Sequence, residues 1–203
     1  MTPNVAALLL AAGLSKRMGT CKQLLPIEGK TVIGCCLDTL LAGGISEVIV
    51  VVGPQGGAIE KAVEGYPVTV AHTLDPQGDM AASVRTGRDA LSSAVSGVVI
   101  ALSDHPLVSA LTVEQLARLH RQDPEAIIIP VYKGEKGHPC LFPRRILGEL
   151  QEQLTLRDLV RSHPERLQLV EVNDQGVRLD MDTPEDYMLI AEIYRMKQAE
   201  DEH

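Results

Sequence analysis

Five short, largely apolar runs rich in β-branched residues lie at positions 5–10, 47–52, 68–71, 97–102 and 126–131. They are apolar at successive positions, the pattern of strands buried on both faces rather than one. Between them, Ile33, Cys36, Leu37, Leu40 and Leu41 fall on one helical face, as do Met80, Val84, Gly87 and Leu91, and again Val113, Leu116 and Ala117. This alternation predicts an α/β fold: a three-layer sandwich with a mostly parallel, Rossmann-like sheet covered by helices on both sides. Such sheets bind ligands at the carboxyl ends of their strands, where the strand order reverses.

A last helix is expected to start at Thr183-Pro184. Thr183 is a favoured N-cap, Pro184 suits the first helical position, and Asp186 stands three residues after the cap. Tyr187, Ile190, Ala191 and Tyr194 would form its buried stripe, and capping alone accounts for Thr183 and Pro184. Residues 133–137 are the most loop-like internal stretch, and no internal repeat is present. The 203 residues suffice for one domain over positions 1–197, followed by a polar tail at 198–203 that is expected to fray.

Composition narrows the function. Nineteen basic against twenty-seven acidic side chains give a net charge of −8, which argues against broad attraction to nucleic acid or to an anionic membrane. Aromatic residues are only 2 % of the chain and Trp is absent, so no stacking platform for single-stranded nucleic acid is present. The four cysteines, Cys21, Cys35, Cys36 and Cys140, have no C-x-x-C spacing, and the adjacent pair would diverge on a helix. Reduced thiols and a cytoplasmic setting follow. The apolar run at 5–12 is short, lacks a basic flank and reads as a strand rather than a signal peptide, and nothing approaches the ~20 apolar residues of a membrane span.

The densest chemistry follows the first strand. From Leu8 to Lys22 an apolar strand runs into a small, basic, glycine-bracketed loop. Small residues at Ala11, Ala12 and Gly13 let backbone N–H groups approach an anion, and Arg17 and Lys22 add positive charge. The Gly13 to Gly19 spacing is not that of a P-loop, and no G-x-G-x-x-G fingerprint is present, so the loop is a polyphosphate site of another kind or a plain strand-to-helix turn.

The string LAAGLSKRMGTCKQLLP at residues 10–26 resembles the signature L-A-A-G-x-S-x-R-M-G-x-x-K-x-L of the nucleotidyltransferase family that includes molybdenum cofactor cytidylyltransferases and guanylyltransferases. The resemblance implies the nucleotide-diphospho-sugar transferase type of fold, and Ala11-Ala12-Gly13 in place of Gly-Gly favours cytidine over guanine. It implies that Leu10, Ala11, Ala12 and Gly13 bind the nucleotide, that Arg17 holds the β- and γ-phosphates, and that Lys22 neutralises charge on the α-phosphate.

Nucleotidyl transfer places a nucleophile on a phosphorus shielded by negative oxygens, and a divalent cation with one or two carboxylate ligands answers that need. Asp104 follows a buried strand directly, and Ser103-Asp104-His105-Pro106 resembles the family's Gly-Asp-Gln-Pro; an Asx turn is the plainer alternative. Ser103 and His105 depart from that pattern, so His105 either fills space or touches a phosphate. Asp182, with Asp180 two residues before it, lies in a segment resembling D-I-D-T-P-E-D; either carboxylate could instead serve the helix N-terminus. Asp104 and Asp182 are thus the expected Mg²⁺ ligands. Gly137-His138-Pro139 resembles the acceptor-pocket segment of the cytidylyltransferase branch, with a ligand-free loop histidine as the alternative. Gly78 and Ser83 lie where the family closes over the base. The implied reaction joins CTP to a molybdopterin phosphate, with a molybdoenzyme or its maturation factor as protein partner. Guanylyl transfer, a sugar phosphate acceptor, and a catalytically silent nucleotide-binding module are the rival readings.

Overall fold

The computed structural model describes residues 4–13, 20–74 and 79–201. In chain order these form β1 (Asn4–Ala11), a 3-10 turn (Lys22–Leu24), β2 (Pro26–Ile27), β3 (Lys30–Thr31), α1 (Val32–Ala42), β4 (Val48–Val52), α2 (Gly57–Val63) and β5 (Thr69–His72). Next come α3 (Met80–Ala90), β6 (Val95–Leu102), α4 (Ala110–Gln122), β7 (Ile127–Tyr132), β8 (Glu135–Lys136) and β9 (Cys140–Pro143). The chain ends with α5 (Arg144–Leu147), α6 (Leu156–Ser162), β10 (Leu167–Glu171) and α7 (Pro184–Asp201). All five expected strands are present, their ends displaced by one or two residues.

The main sheet has the order β10-β7-β9-β6-β1-β4-β5, with β8 paired to β7. β1 runs parallel to both β4 and β6, β4 to β5, and β7 to β10, while β9 is antiparallel to β6 and β7. Side chains along β1 alternate between two cores. Val5, Ala7, Leu9 and Ala11 join Ile33, Leu37, Val113 and Leu116 of α1 and α4 on one face, whereas Ala6, Leu8 and Leu10 join Val84, Ile146 and Leu159 of α3, α5 and α6 on the other. Three layers result, as the apolar patterning requires. Gly87 belongs to the expected α3 face for a packing reason: a Cβ there would lie 2.9 Å from Leu8 and 2.8 Å from Val51, so its absence lets the helix lie close to the sheet.

The loop-like stretch at 133–137 contains a tight hairpin turn, with Lys133 at φ 51° and Gly134 at φ 82° turning β7 into β8. α7 runs through Asp201, into the polar segment expected to fray. Thr183 and Asp186 form the reciprocal cap: the Asp186 N–H donates to Thr183 Oγ1 at 3.2 Å, and the Thr183 N–H donates to Asp186 Oδ2 at 2.8 Å. Ile190 of the expected stripe is buried, and Tyr187 and Tyr194 pack against it half-buried. All four cysteines are free thiols. Among the described residues no helix is long and apolar enough to cross a membrane.

Candidate functional site

The strand order reverses around β1, whose successors β4 and β5 lie on one side and β6 on the other. At its carboxyl end Leu10, Ala11 and Ala12 are buried and Gly13 is exposed. A Cβ at Gly13 would meet no described atom within 4 Å. The Leu10 carbonyl accepts the N–H of Ser103 at 3.2 Å, which holds the turn carrying Asp104 against the end of β1. Arg17 and Gly78 lie outside the described residues.

Lys22 opens the 3-10 turn, which closes on itself as the Leu24 N–H donates to Cys21 O at 3.1 Å. The β2–β3 hairpin follows immediately, and the Tyr187 hydroxyl of α7 donates to Pro26 O at 2.6 Å, tying that segment to the last helix. The Lys22 ammonium donates to Asp104 Oδ2 at 2.6 Å and to Asp182 Oδ1 at 3.0 Å. Lys22 is only 7 % exposed, while its two carboxylate partners are partly open to solvent. Burial alone would lower the Lys22 ammonium, but hydrogen bonds and charge from Asp104 and then Asp182 hold it above its ordinary value. Burial likewise pushes the Asp104 carboxyl up, and His105 and Lys22 together overcome this, leaving it well below the usual carboxylate range.

Asp182 thus reaches the cation, while Asp180, two residues before it, is exposed. The helix N-terminus is served by Asp186 instead, whose carboxylate also accepts the Asp182 N–H at 3.1 Å. The two carboxylates, here joined through the Lys22 ammonium, are hard oxygen donors of the kind that divalent cations take, one or two at a time, beside water and phosphate. Among the described residues no group of three or more His, Cys, Asp or Glu could hold a metal.

His105 and His138 extend the cluster. His105 Nδ1 lies 2.9 Å from Asp104 Oδ1, and its ring meets His138 edge-on at 5.7 Å and 70°. Burial and, second, the neighbouring His105 push the His138 imidazole down to about 4, so it is neutral near pH 7. The His138 N–H donates to Val177 O at 2.8 Å, and the Gly137 N–H donates to Pro130 O at 2.8 Å. Lys22, Asp104, Asp182, His105 and His138 therefore form one contiguous group. Ser83 stands apart from it, buried in α3 with its hydroxyl donating to Asp79 O at 3.2 Å.

Sequence reasoning missed one support. Asp174, 5 % exposed, accepts the Ser109 N–H and the Thr112 hydroxyl, each at 2.8 Å, and the Gly176 N–H at 3.0 Å. It fixes the segment whose Val177 carbonyl holds His138. The turn-forming string Asn173-Asp174-Gln175-Gly176 was the available signal.

Residues 7–169 match the family model described as MobA-like NTP transferase domain. The chain is similar to nicotine blue oxidoreductase of Paenarthrobacter nicotinovorans, with 30 % identity over 197 residues covering 90 % of this chain and 94 % of that protein. It is 27 % identical over 199 residues to the molybdenum cofactor cytidylyltransferase of Escherichia coli, covering 94 % of this chain and 97 % of that one. Among solved structures, Mycobacterium tuberculosis Rv0371c in complex with manganese aligns with a TM-score of 0.72 at 28 % identity, covering 93 % of this chain and 98 % of that one.

Proposed function

The chain belongs to the MobA-like NTP transferase domain family, and from that premise we propose that it transfers a cytidylyl group from CTP to a molybdopterin phosphate, releasing pyrophosphate. Its fold is the expected three-layer nucleotide-diphospho-sugar transferase type. The observation that carries the reading is the convergence of Lys22 with Asp104 and Asp182.

Asp104 and Asp182 would hold Mg²⁺, which supplies charge neutralisation on the triphosphate when bound. The acceptor's terminal phosphate oxygen attacks the α-phosphorus, a P–O bond forms, and the bond from the α-phosphorus to the β-phosphate bridging oxygen breaks as pyrophosphate departs. The nucleophile is already anionic, so it needs positioning more than a general base. Lys22 balances negative charge on the α-phosphate as attack proceeds, Arg17 holds the β- and γ-phosphates, and Leu10 to Gly13 offer main-chain contacts. His138 would donate to the acceptor, and Gly78 and Ser83 would be the contacts to base and ribose, the Ser83 hydroxyl having first to leave its bond to Asp79 O. Ala11-Ala12-Gly13 supports cytidine. Four free thiols support a cytoplasmic setting, and a molybdoenzyme or its maturation factor would receive the product.

One similar protein is named as an oxidoreductase, and a direct assay separates that chemistry from nucleotidyl transfer. Pure protein is incubated with each nucleoside triphosphate, Mg²⁺ and molybdopterin while pyrophosphate is measured. Release with CTP is expected. Release with GTP alone overturns the cytidine assignment, and release with none overturns the transfer reading in favour of a silent nucleotide-binding module.

A further inference from the structure

We infer that His105 is a positioning residue that fixes the tilt at which the Asp104 carboxylate faces the cleft, an inference that rests on reading Asp104 as a cation ligand. A carboxylate at neutral pH only accepts hydrogen bonds, so the 2.9 Å contact requires His105 Nδ1 to carry the proton and donate to Asp104 Oδ1. The other oxygen, Oδ2, is the one that meets Lys22 at 2.6 Å. The terminal torsion of an aspartate is broad, so with Lys22 alone the carboxylate could still pivot about that one contact. His105 removes that freedom.

The donor is itself immobilised. His105 is 8 % exposed, its N–H donates to Leu102 O at 3.3 Å, and its carbonyl accepts the Val108 N–H at 3.4 Å. The ring presses edge-on against His138 and helps wall a cavity of about 20 Å³ together with Cys36, Ala101, Val108 and Pro139. A residue that only filled this largely apolar space would need no ring nitrogen aimed at a carboxylate. With Nδ1 committed to Asp104, only Nε2 is left for any other partner. Space filling thus gives way to orientation of Asp104, and loss of such a partner to a metal-binding carboxylate costs about 10- to 100-fold in metal affinity or activity.

The test measures Mn²⁺ binding to the protein alone by electron paramagnetic resonance, alongside steady-state kinetics with CTP. His105→Phe keeps a ring without the donor, and His105→Asn places an amide nitrogen near the Nδ1 position. The Phe variant is expected to weaken Mn²⁺ binding by about 10-fold or more and to lower kcat by a similar factor. Its KM for CTP should stay within about twofold of wild type, and the Asn variant should recover most of both losses. His105→Leu replaces the Phe variant if circular dichroism shows that the latter does not fold. Wild-type Mn²⁺ affinity in a folded donor-less variant, or an Asn variant as impaired as Phe, overturns the inference. Asp104→Asn separates the two layers: if it leaves Mn²⁺ binding intact, the reading of Asp104 fails and takes this inference with it. If it abolishes binding while His105→Phe does not, only the role of His105 fails.

Discussion

The main-chain N–H of Met181 donates to the carbonyl of Asp104 at 3.0 Å, joining the segment that ends in Asp182 to the turn after β6. Met181 is fully buried, in a cluster with Ile27, Val32, Leu107 and Ile190 that seats α7 on the rest of the molecule. Met181→Ala is therefore expected to destabilise the fold by about 2–4 kcal/mol through the cavity it leaves. Urea denaturation checks this. Activity at low temperature, where the variant is still folded, should fall as well, because the segment carrying Asp182 keeps its main-chain bond to Asp104 but loses the buried side chain that seats it.

Lys22 makes the sharpest kinetic prediction. Its ammonium is the one described cation that touches both Asp104 and Asp182. Lys22→Ala should lower turnover by about 10²-fold or more while the protein stays folded by circular dichroism, since the lost charge is used most in the transition state. Wild-type turnover in that variant would remove Lys22 from the mechanism.

The local parts of this site were legible in the sequence because each rests on local chemistry. β1 and the Ala11-Ala12-Gly13 exit are an apolar run followed by small residues, and the Thr183–Asp186 cap is a four-residue pattern. β9 was not legible: its four residues, Cys140–Pro143, follow Pro139 and end in Pro143, and it is ordered by pairing with β6 and β7 on either side. Likewise, Lys22 lies 82 residues from Asp104 and 160 from Asp182, so their contact is a product of the sheet topology and not of any window of sequence. His105 stood out only as a departure from a pattern, and its partner oxygen became visible once the turn was built.

His120 predicts how stability depends on pH. Its ring is fully buried, Nε2 lies 3.1 Å from Ser96 Oγ, and Nδ1 finds no partner among the described residues. A Cβ at Gly97 would lie 2.5 Å from Nε2, so the glycine makes room for the ring. Burial lowers its pKa, outweighing Asp123 and Glu125, which pull it up, and Arg121 adds to the lowering. The unfolded chain then takes up a proton first as pH falls. The contribution of neutral His120 is whole above about 6.5 and is lost as pH drops from there towards the lowered native value. His138, pushed down to about 4, acts with the same sign. Urea midpoints should therefore be lower at pH 5 than at pH 8, and His120→Leu should narrow the gap. A variant as pH-dependent as the wild type would clear His120 of this role.

Asp174 carries no chemistry in this reading and should matter for stability. Three donors, the N–H groups of Ser109 and Gly176 and the Thr112 hydroxyl, converge on its buried carboxylate, with the Lys197 ammonium 4.0 Å away. Asp174→Ala strands those donors and should cost about 3 kcal/mol or more. Thermal melts that place Asp174→Ala within a degree of wild type would refute this.

Gly137 offers a way to disturb the acceptor side without touching Lys22 or the carboxylates. A Cβ at this position would lie 2.3 Å from Val177 O and 2.8 Å from Val177 Cβ, and the first of these is main chain held by the Asp174 segment, which cannot swing away as a flexible side chain would. The His138 loop must move instead. Its N–H bond to Val177 O, at 2.8 Å, is the contact that sets where the imidazole stands. Displacements of about 1 Å at a positioning group can cost about 10²-fold, so Gly137→Ala should raise the acceptor KM by about 10-fold or more. The KM for CTP should change little, because the Gly13 exit and Lys22 belong to other segments. An equal rise in both constants would mean that the His138 loop serves the whole cleft and not the acceptor half.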